Sequence, residues 1–224
     1  MDTTEPLVAP SPFRVWKIAL ADLPSADDIA LLAPGEHAMA ARFVFERDRR
    51  RYLAAHVALR KTLATCLGDR PENLRFESGG FGKPSLVHAA PCAFNLSRSG
   101  DFAVIAVAQH GQIGVDVELV RAVPDAMALA ARNFSASEHE QLLALAGPER
   151  DAAFLRCWTR KEACLKAIGS GLSIAPHLFE TGTFASRKNV VVPTDSGPVE
   201  VIVESLPASA EMIVAIARVN DPMQ

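Results

Sequence analysis

Two carboxylates two residues apart in an alternating segment, Gly114-Val115-Asp116-Val117-Glu118, are the first residues of this chain whose types and spacing could do chemistry. In a strand, side chains two apart share a face, so Asp116 and Glu118 would project together while Val115, Val117 and Leu119 fill the opposite face. Carboxylates so placed disfavour each other's ionisation, and a cation between them, a metal or a cluster of bases, relieves the repulsion. The pattern also fits a half-exposed strand with two solvated acids. A second segment, residues 154–172 (FLRCWTRKEACLKAIGSGL), bears on that choice. On a helix Trp158, Glu162 and Lys166 fall at i, i+4 and i+8 and line one stripe, with Leu155, Leu165 and Ile168 beside it. Glu162 then borders an apolar face, where a carboxylate needs a partner. Lys166, one turn on, is either that partner or a second ligand-binding group.

Asp116, Glu118 and Glu162 would offer a cation hard oxygen donors, and no His-rich or thiolate set competes with them, so Mg²⁺ or Mn²⁺ is the cation to expect. Three acids around one divalent ion leave a net negative site, which admits a polyanion only if basic residues ring it. Lys83, Arg98, Lys166 and Arg51 could form such a ring, and their scatter along the chain fits a pocket between two halves.

Separate elements must bring these residues together. Residues 1–12, with Pro6, Pro10 and Pro12, are expected to be a loose tail, and 13–20 (FRVWKIAL) a first strand. A short helix over 26–32 should end at Pro34-Gly35, and a long one is expected over 36–66, with Gly68 just past its end. That helix carries Arg42 and the run Glu46-Arg47-Asp48-Arg49-Arg50-Arg51, most simply a solvated face. Strands and turns follow at 74–76, around Gly79-Gly80-Phe81-Gly82-Lys83-Pro84, at 92–96 and at 102–108, and His110-Gly111-Gln112 turns into the acidic strand. Ser135 with Glu138 reads as a capping box, Gly147-Pro148 as a break, and 149–168 as a second long helix ended by Gly169 and Gly171. Strands are expected at Phe184 and over 190–192, 199–204 and 212–219. Both halves thus run long helix, glycine, strands, and both finish on similar apolar runs, FAVIAVAQ and MIVAIARV. The expectation is an α+β pseudo-dimer of two similar halves, each a long helix packed on a small antiparallel sheet. After the tail, the halves would be 13–111 and 112–224, the second carrying the metal site.

Composition narrows the function. The chain has 224 residues, 49% of them hydrophobic and 22% charged, enough for a sizeable core. A formal net charge of −3 argues against holding nucleic acid by a bulk positive field, and tyrosine is the only aromatic type interleaved with the arginine run, at Tyr52. Apolar runs fall far short of the roughly 20 residues that cross a bilayer, and the acidic, proline-rich start lacks the features of a signal peptide. A cytoplasmic monomer without membrane or nucleic-acid partners is expected. Cys66, Cys92, Cys157 and Cys164 show no metal spacing and read as small hydrophobes in a reducing compartment. A thiol nucleophile at Cys157 or Cys164 is the sharper but less economical reading.

With these segments in view, the chain resembles the 4′-phosphopantetheinyl transferases, specifically the larger, surfactin-synthetase-activating type. That family carries (I/V)G(I/V)D(I/V)E and, some forty residues later, (W/F)xxKE(A/S)xxK, which stand here as residues 113–118 and 158–166. Gly82-Lys83-Pro84 and Phe94-Asn95-Leu96-Ser97 match two upstream family elements, so the resemblance spans roughly residues 43–172. It implies that coenzyme A lies between the halves with its pyrophosphate bridging the metal. A serine of an apo-carrier protein then attacks the phosphate bearing pantetheine, giving the holo-carrier and adenosine 3′,5′-bisphosphate.

Carried over residue by residue, Asp116, Glu118 and Glu162 match the metal ligands, and Glu162 is also the base for the serine hydroxyl. Lys166 matches the lysine that meets the diphosphate. Lys83 and Ser97 match coenzyme-contacting positions, and Arg51 an arginine near the 3′-phosphate. The chain departs from the family at Arg98, where a phosphate-contacting histidine is common, and at Glu36 and Met39, in a region where some members carry lysines. Two other classes fit less well. A coenzyme A or nucleotide-binding module would not need the base, and an unrelated metal-dependent phosphoester hydrolase would normally bring further Asp or His ligands.

Overall fold

The structure, a computed structural model, describes residues 4–80, 82–87, 92–184 and 187–220. Phe81 of the glycine-rich turn, residues 1–3 of the expected tail and residues 221–224 lie outside them.

The first half contains β1 (Thr4–Leu7), β2 (Arg14–Ala19), α1 (Ala26–Ile29), α2 (Pro34–Ala40), α3 (Glu46–Leu67), β3 (Phe76–Ser78), β4 (Pro84–Leu86), β5 (Ala93–Ser99) and β6 (Phe102–Ala108). The second contains β7 (Ile113–Leu119), α4 (Ala126–Asn133), α5 (Ala136–Leu143), α6 (Gly147–Ile168), β8 (Arg187–Val192), β9 (Val199–Leu206) and β10 (Met212–Val219). One antiparallel sheet has the order β1-β2-β6-β5 and the other β7-β10-β9-β8. In each half the strand before the long helix pairs with the half's last strand, which pairs in turn with the strand preceding it. This shared order of β2-β6-β5 and β7-β10-β9 is the duplication, an α+β pseudo-dimer.

Side-chain alternation stacks the halves. In β6, Ala103, Ile105 and Val107 pack with Ala55, Leu59 and Leu63 of α3. Val104, Ala106 and Ala108 point the other way and meet Val115, Val117, Val214 and Ile216 of the second sheet. In β10, Ala215 and Ala217 turn instead toward Ala163, Cys164 and Ala167 of α6. The layers therefore run helix, sheet, sheet, helix, and β6 reads as a continuous apolar run because it is covered on both faces. The same alternation leaves Gly114, Asp116 and Glu118 on the α6 side of β7.

Several boundaries differ from the sequence expectations. Thr4–Leu7 is not loose: it pairs with β2, Thr4 opposite Ile18 and Leu7 opposite Val15, and Pro6 is tolerated because β1 is the outermost strand. Pro34 opens α2 rather than closing a helix, since a missing N–H is harmless in the first turn. The helix expected over 36–66 is broken across residues 41–45, where Phe43, Val44 and Phe45 are poor helix formers, and resumes as α3. Gly68 and Gly169 cap α3 and α6 with φ of 67° and 78°, the left-handed conformation that glycine adopts without strain. Phe184 is exposed and outside any strand, β8 beginning at Arg187. Among the described residues no helix is long and apolar enough to cross a membrane.

Candidate active site

The site is built where α6 lies directly on β7. A Cβ at Gly114 would sit 2.2 Å from the Ala163 carbonyl oxygen and 2.3 Å from the Ala167 nitrogen, so only glycine permits this approach. The approach sets Glu162 and Lys166 over the acidic face of β7. Lys166 Nζ lies 2.6 Å from Asp116 Oδ1 and donates to Ser97 Oγ at 3.0 Å. Ser97 Oγ donates to the same Asp116 oxygen at 2.7 Å.

The rotation of α6 is fixed from behind. Lys161 is fully buried, 2.8 Å from Glu138 Oε2, and donates to the carbonyls of Pro176 and Phe179. Glu138 also accepts from the backbone N–H groups of Ser135, Thr181 and Gly182, so this internal ion pair has its lone pairs satisfied. Successive helical residues point about 100° apart, so anchoring Lys161 in the core turns Glu162 toward the cleft.

The halves meet along a seam of side chains. β5 and β7 run side by side in the same direction, bridged by alternate polar residues in place of a backbone ladder. Asn95 Oδ1 accepts the Val115 N–H at 2.8 Å. Ser97 reaches Asp116, and Ser99 Oγ donates to Glu118 Oε2 at 3.0 Å while accepting the Leu119 N–H at 3.2 Å. Arg121 donates to Glu118 Oε2 at 2.9 Å.

A cavity of about 520 Å³ is lined by Asp116, Glu118, Trp158, Glu162 and Lys166 of the second half and by Phe43, Arg51, Ser97 and Arg98 of the first. Burial pushes the Glu162 carboxyl above the usual carboxylate range, and the neighbouring Asp116 and Glu118 add to the shift while Lys166 opposes it. Among the described residues no group of three or more His, Cys, Asp or Glu side chains is placed to hold a metal ion. The donor types, three carboxylates lining one cavity, are nevertheless those that a hard divalent cation takes. Asp116 pairs with Lys166 and Glu118 with the exposed Arg121, while among the described residues Glu162 makes no ion pair and bears the repulsion of both acids, with Lys166 only partly offsetting it.

Of the residues singled out from sequence, the structure brings Arg51, Ser97, Arg98, Asp116, Glu118, Glu162 and Lys166 to this cavity. It takes Lys83 elsewhere. The Lys83 ammonium donates to the Ile113 carbonyl at 2.8 Å and the Ala167 carbonyl at 3.0 Å, and lines a separate cavity with Gly169 and His110. Burial draws its pKa down to about 8. Lys83 thus clasps the start of β7 to the end of α6 instead of joining the ring around the acids. Arg51 lines the cavity but is engaged, its Nε 2.8 Å from Asp101 and its Nη1 3.5 Å from Asp48. Glu36 accepts from Arg60 and lies 3.0 Å from His56, a structural network. Cys157 and Cys164 are fully buried, and burial pushes the Cys164 thiol up to about 12 and the Cys157 thiol higher, which removes them as nucleophiles. Asn95, Ser99, Arg121 and the Lys161–Glu138 anchor were not anticipated. The alternation of Asn95, Ser97 and Ser99 is the signal that could have revealed the seam.

Two family profiles match successive parts of the chain. A family profile described as 4′-phosphopantetheinyl transferase superfamily matches residues 112–216, and one described as 4′-phosphopantetheinyl transferase, N-terminal, matches residues 16–110. A putative 4′-phosphopantetheinyl transferase of Synechocystis sp. is 39% identical over 146 residues, covering 64% of this chain and 59% of the relative, so little more than half of that protein is spanned. The 4′-phosphopantetheinyl transferase HetI of Nostoc sp. is 39% identical over 166 residues, covering 71% and 70%. The 4′-phosphopantetheinyl transferase psf-1 of Bacillus pumilus is 34% identical over 188 residues, covering 82% and 78%.

Proposed function

The chain belongs to the 4′-phosphopantetheinyl transferase superfamily, and on that premise we propose that it transfers the 4′-phosphopantetheine group of coenzyme A to a serine of an apo-carrier protein with a divalent cation, Mg²⁺ first, at Asp116, Glu118 and Glu162. The observation that carries this reading is the meeting of Glu162, Lys166, Ser97, Asp116 and Glu118 in one cavity between the halves.

In the reaction the serine Oγ forms a bond to the phosphorus bearing pantetheine. The bond from that phosphorus to the bridging oxygen breaks, and adenosine 3′,5′-bisphosphate leaves. Glu162, which lines the cavity beside Asp116, Glu118 and Lys166, takes the serine proton. Lys166, whose ammonium reaches the cavity beside Asp116 and Ser97, offsets the charge growing on the bridging oxygen. Ser97 Oγ, which links Lys166 to Asp116, keeps that ammonium aimed into the cavity. A divalent cation held by Asp116, Glu118 and Glu162 would supply charge neutralisation for the diphosphate. Arg98, opposite the acids, offers a fork of donors to the coenzyme's remaining phosphate.

The test is incubation with Mg²⁺, coenzyme A and a panel of apo-carrier proteins, read by intact mass. Addition of phosphopantetheine to at least one carrier is expected, abolished by a chelator and restored by Mg²⁺. No addition to any carrier refutes the transferase, and addition undiminished by the chelator refutes the metal.

Arg98 supplies a second test. Arginine stays charged at every working pH, whereas histidine at its ordinary pKa of about 6.5 is charged only below neutrality. Arg98→His should therefore bind coenzyme A almost normally near pH 6 and show a KM that climbs toward pH 8, while the wild-type KM stays level. A flat KM profile in the variant removes Arg98 from the phosphate contact.

A further inference from the structure

Among the described residues the cavity holds the cationic side chains of Arg51, Arg98 and Lys166. Lys166 is engaged by Asp116 and Ser97, and Arg51 by Asp101 and Asp48. Arg98 alone of these makes no hydrogen bond or ion pair with the described residues. Its contact is instead with an aromatic face, the guanidinium carbon lying 5.6 Å from the centre of the Tyr52 ring. A long side chain without polar partners loses rotamer freedom when it grips a ligand, and a fixed surface beneath it reduces that loss. The ring quadrupole adds attraction for the charge.

Tyr52 is itself held firmly. It is 7% exposed, stacks on His56 with ring centres 4.0 Å apart, and touches Phe43 at 5.4 Å. His56 Nδ1 lies 3.0 Å from Glu36, whose other oxygen is gripped by the buried Arg60. Burial pushes the phenol up to about 12, with the Glu36 charge assisting, so the group facing Arg98 is a neutral ring.

We infer that Tyr52 is a positioning residue for Arg98, holding the guanidinium where it receives the 3′-phosphate of coenzyme A. The inference rests on the proposed transferase function and deepens it. The diphosphate belongs to the acidic and Lys166 side of the cavity, so the phosphate left for Arg98 is the 3′-monoester. Tyr52 acts only through Arg98, so its effect should appear in coenzyme binding and not in turnover.

The experiment compares coenzyme A with 3′-dephospho-coenzyme A as donors for wild type, Tyr52→Phe, Tyr52→Leu, Tyr52→Met, Arg98→Ala and the double variant Tyr52→Leu/Arg98→Ala. Tyr52→Leu and Tyr52→Met should raise the KM for coenzyme A about five- to tenfold, the effect of losing a partly desolvated cation–π contact. Their kcat and their KM for the dephospho form should remain near wild type. Tyr52→Phe, which keeps the ring, should restore wild-type behaviour. In the Arg98→Ala background Tyr52→Leu should add nothing, because the two residues act as one unit. The inference is overturned if both donors weaken equally, if Tyr52→Phe fails like Tyr52→Leu, or if the Tyr52→Leu effect persists without Arg98. A merely structural role for Tyr52 would lower kcat with either donor and so also counts against it. Wild-type protein that transfers from neither donor overturns the transferase reading instead, a result distinct from all of these.

Discussion

Glu162→Gln is expected to lower the transfer rate by about a thousandfold, within the usual range for loss of a positioned general base, while leaving the metal-free protein at least as stable as wild type. In the proposed reaction two contributions to the rate coincide in this residue, proton acceptance and one carboxylate of the cation site. The stability expectation follows from the direction of its pKa. Burial, with Asp116 and Glu118, holds the Glu162 carboxyl above its unfolded value, so the folded protein binds the proton more tightly than the unfolded chain. Stability is therefore lost as pH rises from the unfolded pKa through the folded one, and at neutral pH the ionised Glu162 is a burden. Glutamine carries no charge to penalise. In chelator, Tm of the variant should match or exceed wild type near pH 7, and the advantage should shrink as pH falls through the folded pKa and then the unfolded one, below which Glu162 is protonated in either state. Asp116→Ala should be equally inactive, with Lys166 keeping Ser97 as partner. Retained transfer, or wholesale unfolding of both variants at neutral pH, would make these acids structural.

The residues of that cavity were legible because local periodicity places them. Asp116 and Glu118 share a strand face, Trp158, Glu162 and Lys166 share a helix stripe, and Ser135 with Glu138 announces a helix start; none of this needs knowledge of distant partners. The role of Lys83 was not legible, because its ammonium is consumed by the carbonyls of Ile113 and Ala167, contacts across 30 and 84 positions that no local pattern records. Arg51 illustrates a milder case: its place was readable, its engagement by Asp101, 50 residues away, was not. Strand β1 escaped notice because pairing with β2 overrides a composition suited to a tail. The break between α2 and α3 turns on residues 43–45, of which Phe43 gains a place in the cavity wall by leaving the helix. Nothing local marks Lys161 as buried, yet its ammonium, paired with Glu138 23 residues away, is the core anchor that aims its neighbour Glu162.

Gly114→Ala is expected to cost transfer activity at least about a hundredfold with every catalytic side chain still present. A methyl group there cannot be absorbed by a flexible side chain, because the atoms it meets, the Ala163 carbonyl oxygen at 2.2 Å and the Ala167 nitrogen at 2.3 Å, are the backbone of α6. Carbon needs roughly 3.5 Å from such neighbours, so the helix must retreat from β7 by about an ångström or bend away. Lys166 and Glu162 ride on the same stretch of helix, and the 2.6 Å contact between Lys166 and Asp116 would open. A displacement of that size at reacting groups is enough for a hundredfold loss. Overpacking should also destabilise the fold by about 1–3 kcal/mol, which lowers Tm without abolishing cooperative unfolding. Gly35→Ala, where no atom lies within 4 Å of the added carbon, is the matched control and should leave both rate and Tm near wild type. Rates from intact mass and melting curves on the two variants decide the matter. A Gly114→Ala protein that transfers at the wild-type rate would show that the close seating of α6 on β7 is not what assembles the site.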